Sequence, residues 1–293
     1  MIELNELHKR LGNKDVLKNI NFSVEPGRIF GLVGENGAGK TTLIKCLIGI
    51  YRPDKGTVCI NGHHVYENPV VKESIGYVAD QNQYFPSYRI KELLSFYSLA
   101  YPRFSAERFR ELNEIFRLPE SIRVKELSKG MQMRLTLMLS LSIKPQVLVL
   151  DEPTSGLDPL AKRQVMNLLL QEVESRGVTM LISSHHLGDL ERICDTIGIM
   201  ADGEMKSVHS MEKMKLNMRK LQLVFAQGAP ADLATWPEVL AVETVGRVHY
   251  VVTKQYSDDL LAKLRQAKPL VLEEVPLGLE DMFIYAVKEG YRE

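Results

Sequence analysis

Residues 31–49, GLVGENGAGKTTLIKCLIG, place three glycines, a lysine and two threonines between an apolar strand pattern and an apolar helix pattern. Glycine weakens ordered structure unless the backbone must do what a side chain would block. The spacing of Gly34, Gly39, Lys40 and Thr41 is typical of a loop whose backbone N–H groups bind phosphate oxygens. A helix starting near Lys40 would add its positive N-terminal end. The segment therefore predicts a phosphate-binding loop.

This loop sets the first expected contacts with a nucleotide. Lys40 should reach the terminal phosphates, and the Thr41 hydroxyl should bind Mg²⁺. The residues expected to contact the nucleotide here are Gly34, Glu35, Asn36, Gly37, Ala38, Gly39, Lys40, Thr41 and Thr42. The loop alone identifies neither the nucleotide nor the use of its energy.

The composition limits the class of protein. The 293 residues include 37 basic and 37 acidic side chains, so no overall field attracts nucleic acid. We see no signal-peptide pattern and no apolar run long enough to span a membrane. The three cysteines, Cys46, Cys59 and Cys194, lack C-x-x-C spacing, which favours a reduced cytosol and argues against a metal cluster. We expect a cytosolic α/β protein.

The order of apolar patterns predicts the organisation of the chain. Strand patterns come first, helical patterns follow over about 84–143, and then QVLVLDEP and VTMLISSHH read as strands on either side of a helix over about 160–175. This alternation predicts a mostly parallel sheet. A basic stretch suggests a linker over 207–220, solvated or touching anionic headgroups, before a small α+β domain over 221–293 that closes with helix LEDMFIYAVKEG.

Two acids follow the apolar strand VLVL. Carboxylates at the carboxyl end of a parallel strand face the ligand crevice. We expect Asp151 to bind Mg²⁺ with Thr41, and Glu152 to polarise the water that attacks the γ-phosphorus. The alternative is a pair of solvated acids at a strand end.

A further motif is LSKG. Ser128 in LSKG is expected to cap a helix, and Gly130 adds exposed N–H groups suited to an anion.

Five motifs in this order, GENGAGKTT, LSKGM, VLVLDEP, SGLD and SSH, resemble the ATP-binding subunit of an ABC transporter over roughly residues 1–206. The resemblance implies a P-loop NTPase core of ABC type: a mostly parallel sheet, an antiparallel β subdomain and a helical subdomain. It also implies a head-to-tail dimer, of identical or different subunits, with ATP between the loop of one copy and Ser128, Lys129 and Gly130 of the other. His185, chosen over its neighbour His186 by alignment with SSH, would contact the γ-phosphate, and Asp158 would link the two sites.

The resemblance further implies a separate integral-membrane permease subunit. The chain would then be cytoplasmic and peripheral on the inner face of the cell membrane. The LSKGM form is similar to that of bacterial exporter-type ATPases, which favours export. Aromatic side chains among Tyr84, Phe85 and Tyr88 are expected to face that partner.

Some positions depart from the family pattern. Lys129 replaces a glycine and Met131 a glutamine. Asp80 occupies the position of a glutamine that joins Mg²⁺ to the helical subdomain, with Gln81 next to it, so either residue could serve. Leu11 stands where an aromatic side chain usually stacks on adenine. Leu11 and Val16 are still expected at the nucleotide, with ATP preferred and GTP left open.

Two other functions fit parts of the sequence. One is a soluble ATPase of the same superfamily acting on ribosomes or DNA, although we find no second such domain and no coiled-coil insertion. The other is a regulatory sensor that binds ATP with little turnover, suggested by Asp80, Lys129 and Leu11. The transported substrate cannot be read from the sequence.

Overall fold

The computed structural model describes residues 1–80, 86–185, 187–278, 280–282 and 285 of the chain. The chain divides into two compact units, residues 1–208 and 209–293. Within the described residues, the strands are β1 (Ile2–Leu11), β2 (Lys14–Val24), β3 (Ile29–Val33), β4 (Lys55–Ile60), β5 (His63–His64), β6 (Ile75–Val78), β7 (Val147–Asp151), β8 (Thr179–Ser184), β9 (Thr196–Ala201), β10 (Glu204–Ser210), β11 (Lys220–Val224), β12 (Val239–Val245), β13 (Val248–Thr253) and β14 (Val271–Val275). The helices are α1 (Lys40–Leu47), α2 (Pro69–Lys72), α3 (Ile90–Ala100), α4 (Ala106–Phe116), α5 (Lys129–Ser142), α6 (Pro159–Arg176), α7 (Leu187–Leu190), α8 (Met211–Asn217) and α9 (Asp258–Gln266).

The central sheet of the first unit has the strand order β10-β9-β3-β8-β7-β6. Strand β3 is parallel to both β8 and β9, and β7 is parallel to both β8 and β6. Every residue of β7 and β8 is buried, as expected for strands covered on both faces. The predicted mostly parallel sheet is confirmed. The carboxyl ends of the parallel strands β3, β7 and β8 lie on the same side of the sheet, and the candidate site lies there.

A second, antiparallel sheet of order β2-β1-β4-β5 packs beside the phosphate-loop helix. An Asn61-Gly62 turn joins β4 to β5, and both residues have the positive φ that such a hairpin needs. Leu4, Ile20 and Val58 share one buried cluster with Leu43 of α1. Burial of these apolar side chains holds the end of β1, and with it Leu11, near the start of α1.

The helical patterns over about 84–143 correspond to α3, α4 and α5. Ser105 and Ser128 cap α4 and α5 by accepting hydrogen bonds from backbone N–H groups three residues on. Helix α4 packs on α5 and buries Phe109 and Leu112 completely. Helix α3 leaves apolar side chains in solvent: Leu99 is 89% exposed and Phe96 is 48% exposed.

The second unit contains an antiparallel sheet of order β12-β13-β11-β14 and the helix α9. Leu221 and Leu223 of β11, Trp236, and Leu260 and Leu264 of α9 form its core. Ser257 caps α9, whose first turn is acidic and whose last turn is basic, as the helix dipole favours.

The segment 207–220 is not the solvated linker that its charge suggests. It contains the end of β10, helix α8 and the start of β11, and it buries Met211, Met214 and Met218. These methionines recur at intervals of three and four residues, which places them on one helical stripe. The linker prediction used the basic charge of the segment and did not consider the spacing of its apolar residues.

Three expectations from the sequence fall wholly or largely outside the described residues. They are the partner-facing roles of Tyr84 and Phe85, the alternative role of Gln81, and most of the closing helix. Within the described ranges, we find no helix with the length and apolar character needed to cross a membrane.

Candidate active site

The phosphate loop joins β3 to α1, and its glycines have steric reasons to be there. Gly37 and Gly39 have φ values of +86° and +109°, which side chains disfavour. A Cβ on Gly34 would lie 2.3 Å from the carbonyl oxygen of Met200. The Lys40 side chain is buried, and its Nζ donates to the carbonyl oxygens of Gly34 at 2.5 Å and Glu35 at 3.3 Å. The loop therefore holds a buried cation at the positive end of α1.

The Asp151 carboxylate lies at the end of β7 and is held on both oxygens. The Thr41 hydroxyl donates to Oδ2 at 2.9 Å, and the Ser183 hydroxyl donates to Oδ1 at 2.6 Å. Asp151 is 2% exposed, so these hydrogen bonds replace most of its hydration. The two residues predicted to share a metal ion, Thr41 and Asp151, are thus in direct contact.

Glu152 follows in a left-handed backbone conformation with φ +52°, an uncommon state for a residue with a side chain. Its backbone N–H donates to Ser183 Oγ at 3.1 Å. One side-chain oxygen, Oε2, lies 2.8 Å from Nδ1 of His185, and Oε1 lies 3.9 Å from Lys40 Nζ. The predicted base, the predicted γ-phosphate contact and the loop lysine therefore form one cluster. His186 lies outside the described residues.

These groups border an open cleft of about 300 Å³. The residues lining the cleft are Leu11, Val16, Glu35, Asn36, Gly37, Gly39, Lys40, Thr41, Thr42, Asp80, Asp151 and Glu152. All of them were predicted as site residues. Gly34, Ala38 and His185 are not in the lining, although Gly34 and His185 contact Lys40 and Glu152. Burial, together with the charges of nearby Asp151 and Asp80, raises the pKa of Tyr77 to about 12, so its phenol stays protonated at neutral pH.

Comparison with known proteins identifies the family. The sequence model described as ABC transporter matches residues 17–155. The chain is 35% identical to the ABC transporter ATP-binding protein YtrB of Bacillus subtilis (strain 168), over 97% of each chain. The chain belongs to the ABC transporter family as an ATP-binding subunit. It is therefore an ATPase.

Two further likenesses agree with this assignment, and a third shows the fold alone. The ABC subunit is 33% identical to the Nod factor export ATP-binding protein I of Neorhizobium galegae, over 93% of this chain and 80% of that protein. It is also similar to the solved ATP-binding subunit of an ABC transporter, with a TM-score of 0.69 and 29% identity over 73% of this chain and 92% of that chain. A dimeric ATP-binding cassette, MJ0796 bound to ADP and Pi, shares the fold with a TM-score of 0.65 and 22% identity over 72% and 99% of the two chains.

The other predicted nucleotide contacts of the ABC subunit form a separate group outside the cleft. Lys129 follows the Ser128 cap of α5, and its Nζ donates to Ser155 Oγ at 3.3 Å. Gly130 of α5 lies against Leu157, which belongs to the same turn as Ser155. Asp158 caps α6: its Oδ1 accepts from the Ala161 N–H at 2.9 Å, and this bond holds the pKa of the carboxyl below its usual value. One chain therefore contains the cleft and, apart from it, a signature segment formed by Ser128, Lys129 and Gly130.

Sequence reasoning missed Ser183, which contacts both acidic residues. Its Oγ donates to Asp151 and accepts from the Glu152 backbone, and the residue is completely buried in β8. A signal was present, because a serine inside the apolar strand MLIS needs a hydrogen-bond partner when it is buried. The parallel pairing of Ser183 with Asp151 supplies that partner.

Proposed function

We propose that two copies of this subunit, or one copy and a related subunit, close head to tail around ATP and drive a separate integral-membrane subunit. The observation that carries the proposal is the separation within one chain of the ATP cleft from Ser128, Lys129, Gly130 and Asp158. A second chain can bring its signature segment to the open side of the cleft. The dimeric form of the MJ0796 cassette, which has the same fold, supports this arrangement.

We propose that Thr41, Asp151 and Asp80 hold Mg²⁺ beside the ATP phosphates. Hydroxyl and carboxylate oxygens are suitable ligands for this hard cation, and all three residues line the cleft. Among the described residues there is no cluster of three His, Cys, Asp or Glu side chains that could hold a metal by themselves. This fits an ion bound by few protein oxygens together with phosphate oxygens. The ion would neutralise phosphate charge.

The remaining roles follow from charge and position. Lys40 would exchange its bonds to the loop carbonyls for bonds to the terminal phosphates, since its Nζ already lies beside the loop. Glu152 would take a proton from the attacking water. His185, in contact with Glu152, would orient that carboxylate and contact the γ-phosphate. Leu11 and Val16 would face the base. Because they make apolar contact without stacking, the site would prefer ATP over GTP less strongly than a site with an aromatic side chain.

We propose export as the work that ATP drives, because several relatives are named Nod factor export ATP-binding proteins. The exposed apolar side chains of α3, Phe96 and Leu99, with nearby Tyr88, would face the membrane partner. The subunit would then be peripheral on the inner face of the cell membrane. We propose that residues 209–293 form an accessory domain that supports packing or dimerisation.

The Glu152→Gln variant tests the hydrolytic site and the dimer together. Loss of the base should slow ATP turnover by roughly 10²–10⁴-fold while ATP binding is retained. Light scattering should then find an ATP-dependent dimer. Glu174→Gln, a change of the same kind on the exposed side of α6, should behave like the wild type. Wild-type turnover by Glu152→Gln would refute the base, and a variant that stays monomeric with ATP would refute the dimer.

Purification from gently solubilised membranes tests the partner. A polytopic membrane protein recovered in a fixed ratio with the subunit would support the transporter, and its stimulation of ATP turnover would argue against a sensor role. Recovery of ribosomal proteins or DNA in its place would overturn the proposal.

A further inference from the structure

Glu152 and His185 each lie directly after a strand of the central sheet, so the sheet fixes where both of their segments begin. Strand β7 ends at Asp151, and β8 ends at Ser184. The two strands run parallel, and Asp151 is paired with Ser183. The Glu152 carboxylate and the His185 ring meet at 2.8 Å just beyond these paired residues. Strand pairing therefore holds the two segments together on one side of this contact.

A hydrogen bond between side chains joins the same two segments again on the other side of the contact. Thr154, two residues after Glu152, is 2% exposed, and its hydroxyl donates to Asp189 Oδ2 at 2.9 Å. Asp189 belongs to α7 and lies four residues after His185 in the chain. Covalent and side-chain links therefore form a closed cycle that includes the expected base and its histidine.

The backbone on either side of the Thr154–Asp189 bond is constrained. Pro153 separates Glu152 from Thr154, and its ring fixes the backbone φ there. Leu190, next to Asp189, is completely buried close to Gly31 of β3, which anchors α7 on the sheet. A shift of Thr154 is therefore transmitted to Glu152 across a single proline.

Asp189 also binds the start of α6. Lys162 Nζ lies 3.1 Å from the same oxygen, Oδ2, one helical turn after the Asp158 cap of that helix. The Asp189 side chain is 22% exposed, so the two donors replace much of its hydration. Three elements thus meet at one carboxylate: the turn after Glu152, the helix after His185, and α6.

We propose that Asp189 is a positioning residue for ATP hydrolysis. By holding Thr154, it fixes the Glu152 carboxylate at the distance and direction in which it meets His185. Asp189 does not line the ATP cleft, so it acts through Thr154 and not on the nucleotide. This role depends on the functions proposed above for Glu152 and His185. The alternative is an ion pair with Lys162 that stabilises the fold and has no effect on turnover.

Thr154→Val in the full chain tests this role, because valine keeps the shape of the buried side chain and removes the donor. We expect the kcat of ATP hydrolysis to fall about tenfold, while the KM for ATP stays within about twofold. Thr154→Ser keeps the hydroxyl and should recover most of the kcat. Thr136→Val is the matched control: Thr136 is also buried, but its hydroxyl donates to the Gln132 carbonyl of its own helix, so kcat should not change.

Asp189→Ala removes the acceptor of the same bond. It changes a side chain that is partly exposed, so it remains informative if Thr154→Val does not fold. We expect its kcat to fall about tenfold as well. The double variant Thr154→Val, Asp189→Ala should be no slower than Asp189→Ala alone, because both changes break one link.

Wild-type kcat in Thr154→Val and Asp189→Ala, with or without a loss of stability, would contradict the positioning role. So would a loss of kcat that Thr154→Ser shares, or losses that multiply in the double variant. Glu152→Gln separates this outcome from failure of the base assignment. Slow turnover by Glu152→Gln with normal turnover by Thr154→Val refutes the positioning role alone, whereas wild-type turnover by Glu152→Gln refutes both.

Discussion

Ser183→Ala should cost both stability and activity, because the Ser183 hydroxyl holds the two acidic residues in place. The substitution removes the bond to Asp151 Oδ1, at 2.6 Å, and the bond from the Glu152 N–H, at 3.1 Å. A hydrogen bond to a charged group contributes roughly 1.5–3 kcal/mol. The Glu152 N–H also reaches the Ser183 carbonyl oxygen at 3.2 Å, so its loss is partial. We therefore expect the free energy of unfolding to fall by about 2 kcal/mol.

The same change should slow ATP turnover by about 10–100-fold, because small displacements of catalytic groups are costly. Urea denaturation would measure the free energy of unfolding, and the rate of phosphate release would measure ATP turnover. Ser142→Ala is the matched control: Ser142 is also completely buried, but its hydroxyl donates to the Met138 carbonyl of its own helix. It should lose about 1 kcal/mol and keep its activity. Wild-type turnover by a destabilised Ser183→Ala protein would refute the reasoning.

Three further changes test other parts of the structure. Gly34→Ala should weaken binding of a fluorescent ATP analogue at least tenfold, because its Cβ would lie 2.3 Å from the Met200 carbonyl oxygen. Gly188→Ala, whose Cβ would meet no atom of the described residues within 4 Å, should bind normally. Arg108→Met should lower the free energy of unfolding by about 3 kcal/mol, since it leaves the Glu172 carboxylate buried without its main partner. Arg110→Met, at an exposed site of the same helix, should have little effect in the same urea titration. At pH 8 a thiol reagent should modify Cys59 first, as mass spectrometry would show, because burial raises the pKa of Cys46 to about 11 and also raises that of buried Cys194. Since those two thiols stay protonated longer in the folded chain than in the unfolded chain, stability should fall as the pH rises from about 9 to 11; early labelling of Cys46 or Cys194 would contradict this.

The sequence predicts the phosphate loop well because its requirements are local. Gly37 and Gly39 are needed for backbone conformation, and α1 begins at Lys40 as expected. The contacts around Asp151 are not local, since Ser183 reaches it from a strand 32 residues away through the parallel pairing of β7 with β8. The prediction of a solvated linker over 207–220 is wrong for another reason. It rests on the basic charge of this stretch, whereas the spacing of its buried methionines decides the structure.

The segment between Glu152 and Asp158 shows how the cleft and the signature segment can be coupled within one chain. It is a short turn with internal hydrogen bonds, from Ser155 N–H to the Glu152 carbonyl and from Leu157 N–H to the Thr154 carbonyl. Asp189, in the helix that follows His185, accepts from Thr154 Oγ1 at 2.9 Å and from Lys162 of α6 at 3.1 Å. In the proposed dimer, a displacement of Asp158 would therefore be passed to Glu152 and to the Asp189 contacts, because both are hydrogen-bonded to this turn.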